Sequence, residues 1–200
     1  MKKNFKKVYQ FKITLKGIKP PIWRRIQVPE TYTFWDLHVA IQDSMGWHDY
    51  HLHQFEILDP SRGKKVLIGI PDEEYDCFTK VLPGWKQKIS RYFSLENSKA
   101  NYEYDFGDGW EHIVKLEKIL PKDETLSYPV CIAGKRKCPP EDCGSTPGYE
   151  NILRLMNNPE DEEYESMIEW LRGRFEPEDF NFKDVTFDDP DERLKMAMED

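Results

Sequence analysis

The chain gathers chemically capable side chains in three places. Residues Tyr102 to His112 read YEYDFGDGWEH, in which Asp105, Asp108 and His112 would converge at one end of a hairpin. Two carboxylates and an imidazole suit a divalent metal or acid–base work. The same string has a structural reading. Asp-Gly supplies the positive φ angles of tight β-turns, so Gly107, Asp108 and Gly109 read as the turn and the aromatic residues, Trp110 among them, as flanking packing. The turn explains most of the string and is the reading adopted.

The second place is WHDYHLHQF, where His51 and His53 stand two apart. In a strand both would point the way of Phe55 and Ile57, as a metal-binding pair or as rings bonded to backbone carbonyls. His38, beside an apolar helical stripe, reads as a hydrogen-bonded core residue. The third is VCIAGKRKCPPEDCGSTPGY, with Cys131, Cys138 and Cys143 separated by six and then four residues. Three thiols and a histidine could close a tetrahedral zinc site, although the first gap is wider than usual. Alternatively Pro139 and Pro140 stiffen a loop whose Glu141 and Asp142 accept backbone N–H bonds. Cys77 lies alone and reads as a buried thiol. Trp23 and Arg25 sit on a basic hairpin, where an aromatic beside a guanidinium can stack on a base or a partner.

The elements that must position these residues follow from periodicity. VYQFKITLK alternates, with Tyr9, Phe11, Ile13 and Leu15 on one face. IWRRIQV alternates likewise after the turn GIKPP, so the two make a hairpin. TFWDLHVAIQDSMGW has helical spacing, with Thr33 as N-cap, Asp36 completing a capping box, and Gly46 as a left-handed C-terminal cap. HLHQFEIL and KKVLIGI read as strands, NYEYDF and WEHIVKLEKIL as a second hairpin. Residues 131–148 read as a loop, and helices are expected near 147–157 and 160–172. The expected class is α+β: a mixed or antiparallel sheet from two hairpins, a crossing helix in a β-grasp-like order, and C-terminal helices, in one domain over residues 1–200.

Composition narrows the class. Hydrophobic residues make up 38%, enough for a packed core, and no apolar run is long enough to span a membrane. The start, MKKNFKKVYQF, lacks the apolar stretch of a signal peptide, so a cytoplasmic location with reduced thiols is expected. Net charge is −8, yet the residues before Glu30 hold nine Lys and Arg and no acid. Either that hairpin touches a polyanion, or the acidic C-terminal segment lies across it and neutralises it; residues 175–200 are expected to be packed on the domain or partly mobile. Neutralisation is favoured, since the sequence pI is about 5.3. Phe180, Phe182, Val185 and Phe187 would hold that segment down.

LKGIKPPIWRRIQVPE, DLHVAIQDSMGW, HLHQFEI, YEYDFGDGWEHIVKLEK, CPPEDCGSTPGYE and FEPEDFNFKDVTFDDPDERL, taken in order, resemble the plasmid pRiA4b open-reading-frame-three-like family. The resemblance runs from about residue 7 to 195. It departs at one point: the family's loop carries two glycines after the acidic pair, and here Gly144 is followed by Ser145. The family name is sometimes attached to a recombinase, which needs a nucleophile amid several basic groups. Here the one adjacent arginine pair is Arg24–Arg25, and the motif-rich part is acidic.

Three functional expectations result. The first is an interaction or ligand-binding module that recognises a protein or small molecule through Asp108, Trp110, Glu141 and Asp142, with Trp23 and Arg25. The second is a metal-dependent phosphate-ester hydrolase using Asp105, Asp108 and His112, helped by His51 or His53, with a divalent ion such as zinc. The third, least favoured, is a nucleic-acid-associated accessory protein.

Overall fold

The computed structural model describes residues 4–71 and 80–199. Cys77 lies outside the described residues.

The fold is α+β, built on one eight-stranded sheet. Strands β1 (Lys7–Leu15) and β2 (Trp23–Pro29) form the first hairpin. Helix α1 (Phe34–Met45) then crosses to β3 (His53–Asp59), which turns back into β4 (Lys64–Gly69). A short β5 (Val81–Pro83) and a one-turn helix α2 (Ile89–Tyr92) lead to the second hairpin, β6 (Lys99–Tyr104) and β7 (Trp110–Pro121), and β8 (Val130–Lys135) follows. The strand order is β5-β4-β3-β6-β7-β1-β2-β8. Among the described residues only β4 and β5 pair in parallel, at one edge, so the β-grasp likeness extends no further than the order of elements.

Local signals explain α1. The Thr33 side chain accepts from the Asp36 N–H, Asp36 accepts the Thr33 N–H at 2.8 Å, and Gly46 ends the helix at φ 86°. Its inner face joins Phe11, Ile13, Ile26, Phe55, Tyr102, Val114 and Leu116 from the sheet in one apolar core. The strand registers align Phe55, Tyr102, His112 and Leu15 in a row across four strands beneath α1.

Two elements differ from the sequence-based expectation. Residues 131–135, expected as part of a loop, belong to edge strand β8 on β2. Residues 190–199, to which the sequence reading assigns no element, form a helix. The C-terminal region contains α3 (Ser145–Met156), α4 (Tyr164–Leu171), a 3-10 turn at Phe182–Asp184 and α5 (Pro190–Glu199). Phe180, Phe182, Val185 and Phe187 pack against the core. Helix α5 reaches α1 through the Trp35 indole N–H on the Pro190 carbonyl at 2.9 Å.

Neutralisation of the basic hairpin runs mainly across the sheet rather than through the tail. Lys16 pairs with Glu111 at 2.6 Å, and Arg25 pairs with Glu117 at 2.6 Å. Arg24 alternates inward instead and is 1% exposed. Its guanidinium donates to the Ser44 and Lys135 carbonyls at 2.7 and 3.1 Å and lies 3.5 Å from the centre of the Phe180 ring, joining β2, α1, β8 and the tail.

Candidate functional site

The segment from Trp47 to His53 builds two donor clusters that face different ways. After Gly46 closes α1, the buried Trp47 anchors the segment by donating its indole N–H to Pro139 O at 2.9 Å. Asp49 then turns the chain at φ 63°. Strand β3 begins only at His53, so the period of two does not extend back to His51. The two imidazoles therefore diverge, which corrects the expectation of a same-face pair.

His51 points outward. Its Nε2 lies 2.9 Å from Asp142 Oδ1 and 3.7 Å from Asp105 Oδ2. One donor atom from each of these three residues falls within 4.8 Å of the others. The imidazole is 32% exposed and the Asp142 side chain 65%, so water reaches the cluster. Asp105 and Asp142 occupy the left-handed region at φ 56° and 57°, a conformation Asp tolerates better than most residues. Asp105 Oδ1 accepts the Gly107 N–H at 2.9 Å, which leaves Oδ2 turned to His51. The neighbouring Glu141 accepts from the Tyr104 hydroxyl at 2.5 Å, while the Tyr50 N–H donates to the same phenol oxygen at 3.1 Å. Burial first, and then Glu141, push the Tyr104 pKa up, so the phenol stays a donor. Asp142 and Glu141 also line an open groove of about 850 Å³, together with Tyr50, Lys137, Arg172 and Phe180.

The second cluster is largely buried. His38, Asp49 and His53 also bring donor atoms within 4.8 Å of one another. His38 is fully buried, with Nε2 at 2.8 Å from Asp49 Oδ1 and Nδ1 at 2.8 Å from the Tyr102 hydroxyl. Arg193 of α5 donates to Asp49 Oδ2 at 2.8 Å. Despite its burial, Asp49 has its pKa lowered by His38 and Arg193. The His53 ring lies parallel to His38, with centroids 3.4 Å apart, and neither of its nitrogens meets a hydrogen-bond partner.

Residues 7–184 match the family described as plasmid pRiA4b ORF-3-like protein. The chain belongs to this family. It is 34% identical over 166 residues to the uncharacterized protein y4hQ of Sinorhizobium fredii, a match covering 82% of this chain and 80% of that one. It is also similar to the crystal structure of a protein of unknown function, MM3350, from Methanosarcina mazei Go1. The identity is 52% and the TM-score 0.86, and the match covers 93% of this chain and all of that one.

In the loop before α3, where the resemblance leads one to expect a second glycine, Ser145 stands at φ 62° directly after Gly144 at φ 85°. Serine thus occupies a left-handed position that a glycine would take without strain.

The remaining candidates are dispersed. Asp108 lies beside the outer cluster but accepts the Gly144 N–H at 3.2 Å, tying the β6–β7 loop to the start of α3. His112 is fully buried, away from Asp105 and Asp108, and burial lowers its pKa to about 4. The expected Asp105–Asp108–His112 convergence does not form: His112 lies within β7, in the row beneath α1. Trp110 is core, 2% exposed. Among the described residues no cysteine joins a group of three donors. The Cys138 thiol is buried against Met45 and Arg24, Cys131 is buried on β8, and burial followed by Asp108 pushes the Cys143 thiol up to about 12. Trp23 is half-buried, and Arg25 lies 5.1 Å from its ring centre.

Two participants are not among the residues singled out by sequence. Asp49 carries a local signal, an Asp just past a helix-capping glycine, where a left-handed turn is tolerated. Arg193 carries none, since its contact with Asp49 spans 144 residues. Among the described residues, no helix is long and apolar enough to cross a membrane.

Proposed function

We propose that this protein is a ligand-binding module in which His51, Asp105 and Asp142 hold a divalent cation at the rim of the groove, and the groove receives a small anionic ligand bridged by that cation. The observation that carries this reading is the meeting of one imidazole and two carboxylates from three separate segments, two of them held at positive φ. Backbone strain concentrated at a site is the pattern expected where geometry is kept for binding. One nitrogen and two oxygen donors suit zinc or manganese. Asp142 belongs to both the cluster and the groove, and Lys137 and Arg172 on the groove wall offer charge to an anion.

A second reading is hydrolysis of a phosphate ester. The half-exposed cluster supports it, because three protein donors leave room on an ion for a water whose pKa the metal would lower. The nucleic-acid reading is weaker, because Arg24, Arg25 and Lys16 are engaged within the fold.

Titration with manganese(II), followed by calorimetry, tests the proposal. One ion per chain should bind, and Asp105→Asn and Asp142→Asn should each weaken binding by about tenfold or more. Wild-type affinity in both variants would refute the rim site. Turnover of a chromogenic phosphate monoester that depends on the same residues would select the hydrolase.

A further inference from the structure

We propose that His38, Asp49 and His53 form a second, buried site that takes a borderline transition-metal ion such as zinc(II) or cobalt(II). This inference does not depend on the rim site. The three side chains already place one donor atom each within 4.8 Å of the others, and all three lie in the interior or at its edge. His53 supplies the decisive observation. It is 3% exposed, yet neither ring nitrogen has a hydrogen-bond partner on the protein, a costly arrangement for a buried imidazole. A lone pair directed at a cation would remove part of that deficit.

The surroundings match those of metal ligands. A ligating imidazole is oriented by a hydrogen bond at its other nitrogen, and a ligating carboxylate is itself hydrogen-bonded. Here the Tyr102 hydroxyl meets His38 Nδ1 at 2.8 Å while Nε2 faces Asp49, and Arg193 holds the far oxygen of Asp49 at 2.8 Å. Two imidazoles and one carboxylate favour zinc or cobalt over calcium or magnesium, which prefer oxygen donors. The parallel rings place their in-plane lone pairs side by side, so coordination by both requires one ring to tilt. His53 is the ring free to do so, since no hydrogen bond ties it. The competing arrangement is a proton shared by His38 and Asp49, with His53 as packing alone.

The full-length Asp105→Asn/Asp142→Asn double variant isolates this site from the rim. After chelator treatment it would be incubated with cobalt(II) alone at neutral pH and desalted, with bound metal read by elemental analysis and visible absorption. About one equivalent should remain with a cobalt ligand-field band, and adding His53→Gln should reduce retention by about tenfold or more. Asp49→Asn keeps the left-handed turn and should cause the same loss if His53→Gln does not fold. Failure of the double variant to retain cobalt overturns the proposal, as does equal retention with and without Asp49 or His53. The rim reading is judged separately, by whether Asp105→Asn and Asp142→Asn weaken manganese binding relative to the wild type.

Discussion

The outer and inner clusters use the same side chains, imidazoles and aspartates, and share one segment of backbone, yet their surroundings differ. His51, Asp105 and Asp142 meet where water enters, on backbone held at positive φ. His38, Asp49 and His53 lie between α1 and the sheet, with Tyr102, Gln42 and Arg193 supplying the hydrogen bonds that water supplies outside. Position relative to the core therefore decides what a histidine can do. Outside, water can replace a lost hydrogen bond at little cost. Inside, desolvation holds His53 and His112 neutral and makes each unpaired nitrogen a liability.

The largest expected effect of that difference is acid sensitivity. Above about pH 6.5 His112 is neutral in both folded and unfolded chains. Between 6.5 and its folded value of about 4, only the unfolded chain binds the proton, so stability falls as pH falls through this window. The loss from His112 is on the order of 3 kcal/mol by pH 4, and His53 adds in the same direction. Urea midpoints at pH 7 and 4.5 would measure it, and a His112→Leu variant should show a shallower slope. A pH-independent midpoint would mean that the inner histidines are not held neutral.

Next is Tyr102→Phe, which strips the hydroxyl from both His38 and Gln42 and should cost about 1–3 kcal/mol in urea unfolding. An unchanged midpoint would mean that the inner network adjusts as readily as the outer one. Ser145→Gly should stabilise by about 0.5–1 kcal/mol, because glycine accepts the left-handed angle without strain. A loss of stability there would instead assign the serine side chain a role in the loop. The smallest stability effect is expected for Asp142→Asn, within about 0.5 kcal/mol, whereas Asp142→Ala should cost about 1 kcal/mol because alanine resists positive φ. Equal stabilities for the two would remove strain as a property of the rim.

Much of the frame is legible in residue type and spacing alone. Thr33, Asp36 and Gly46 delimit α1 through short-range hydrogen bonds that leave a direct imprint on residue type, and the alternation of Tyr9 to Leu15 marks β1. Strand β8 is hidden because an edge strand needs little alternation of its own when its pairing comes from β2, which lies far back in the chain. Helix α5 is hidden because it carries few apolar residues and docks through Trp35 and Arg193, contacts that no local pattern records. In the candidate site, Asp105, Asp142 and His51 stand out by type. Their grouping does not, since it depends on three positive-φ turns that break strand periodicity at Asp49, Asp105 and Asp142. The same break separates His51 from His53.

Cation binding by the open cluster at the groove can be seen by anomalous diffraction from crystals grown with manganese(II). One strong peak is expected about 2.0–2.3 Å from His51 Nε2 and from carboxylate oxygens of Asp105 and Asp142. A map without density there, with the three side chains still converging, would contradict it.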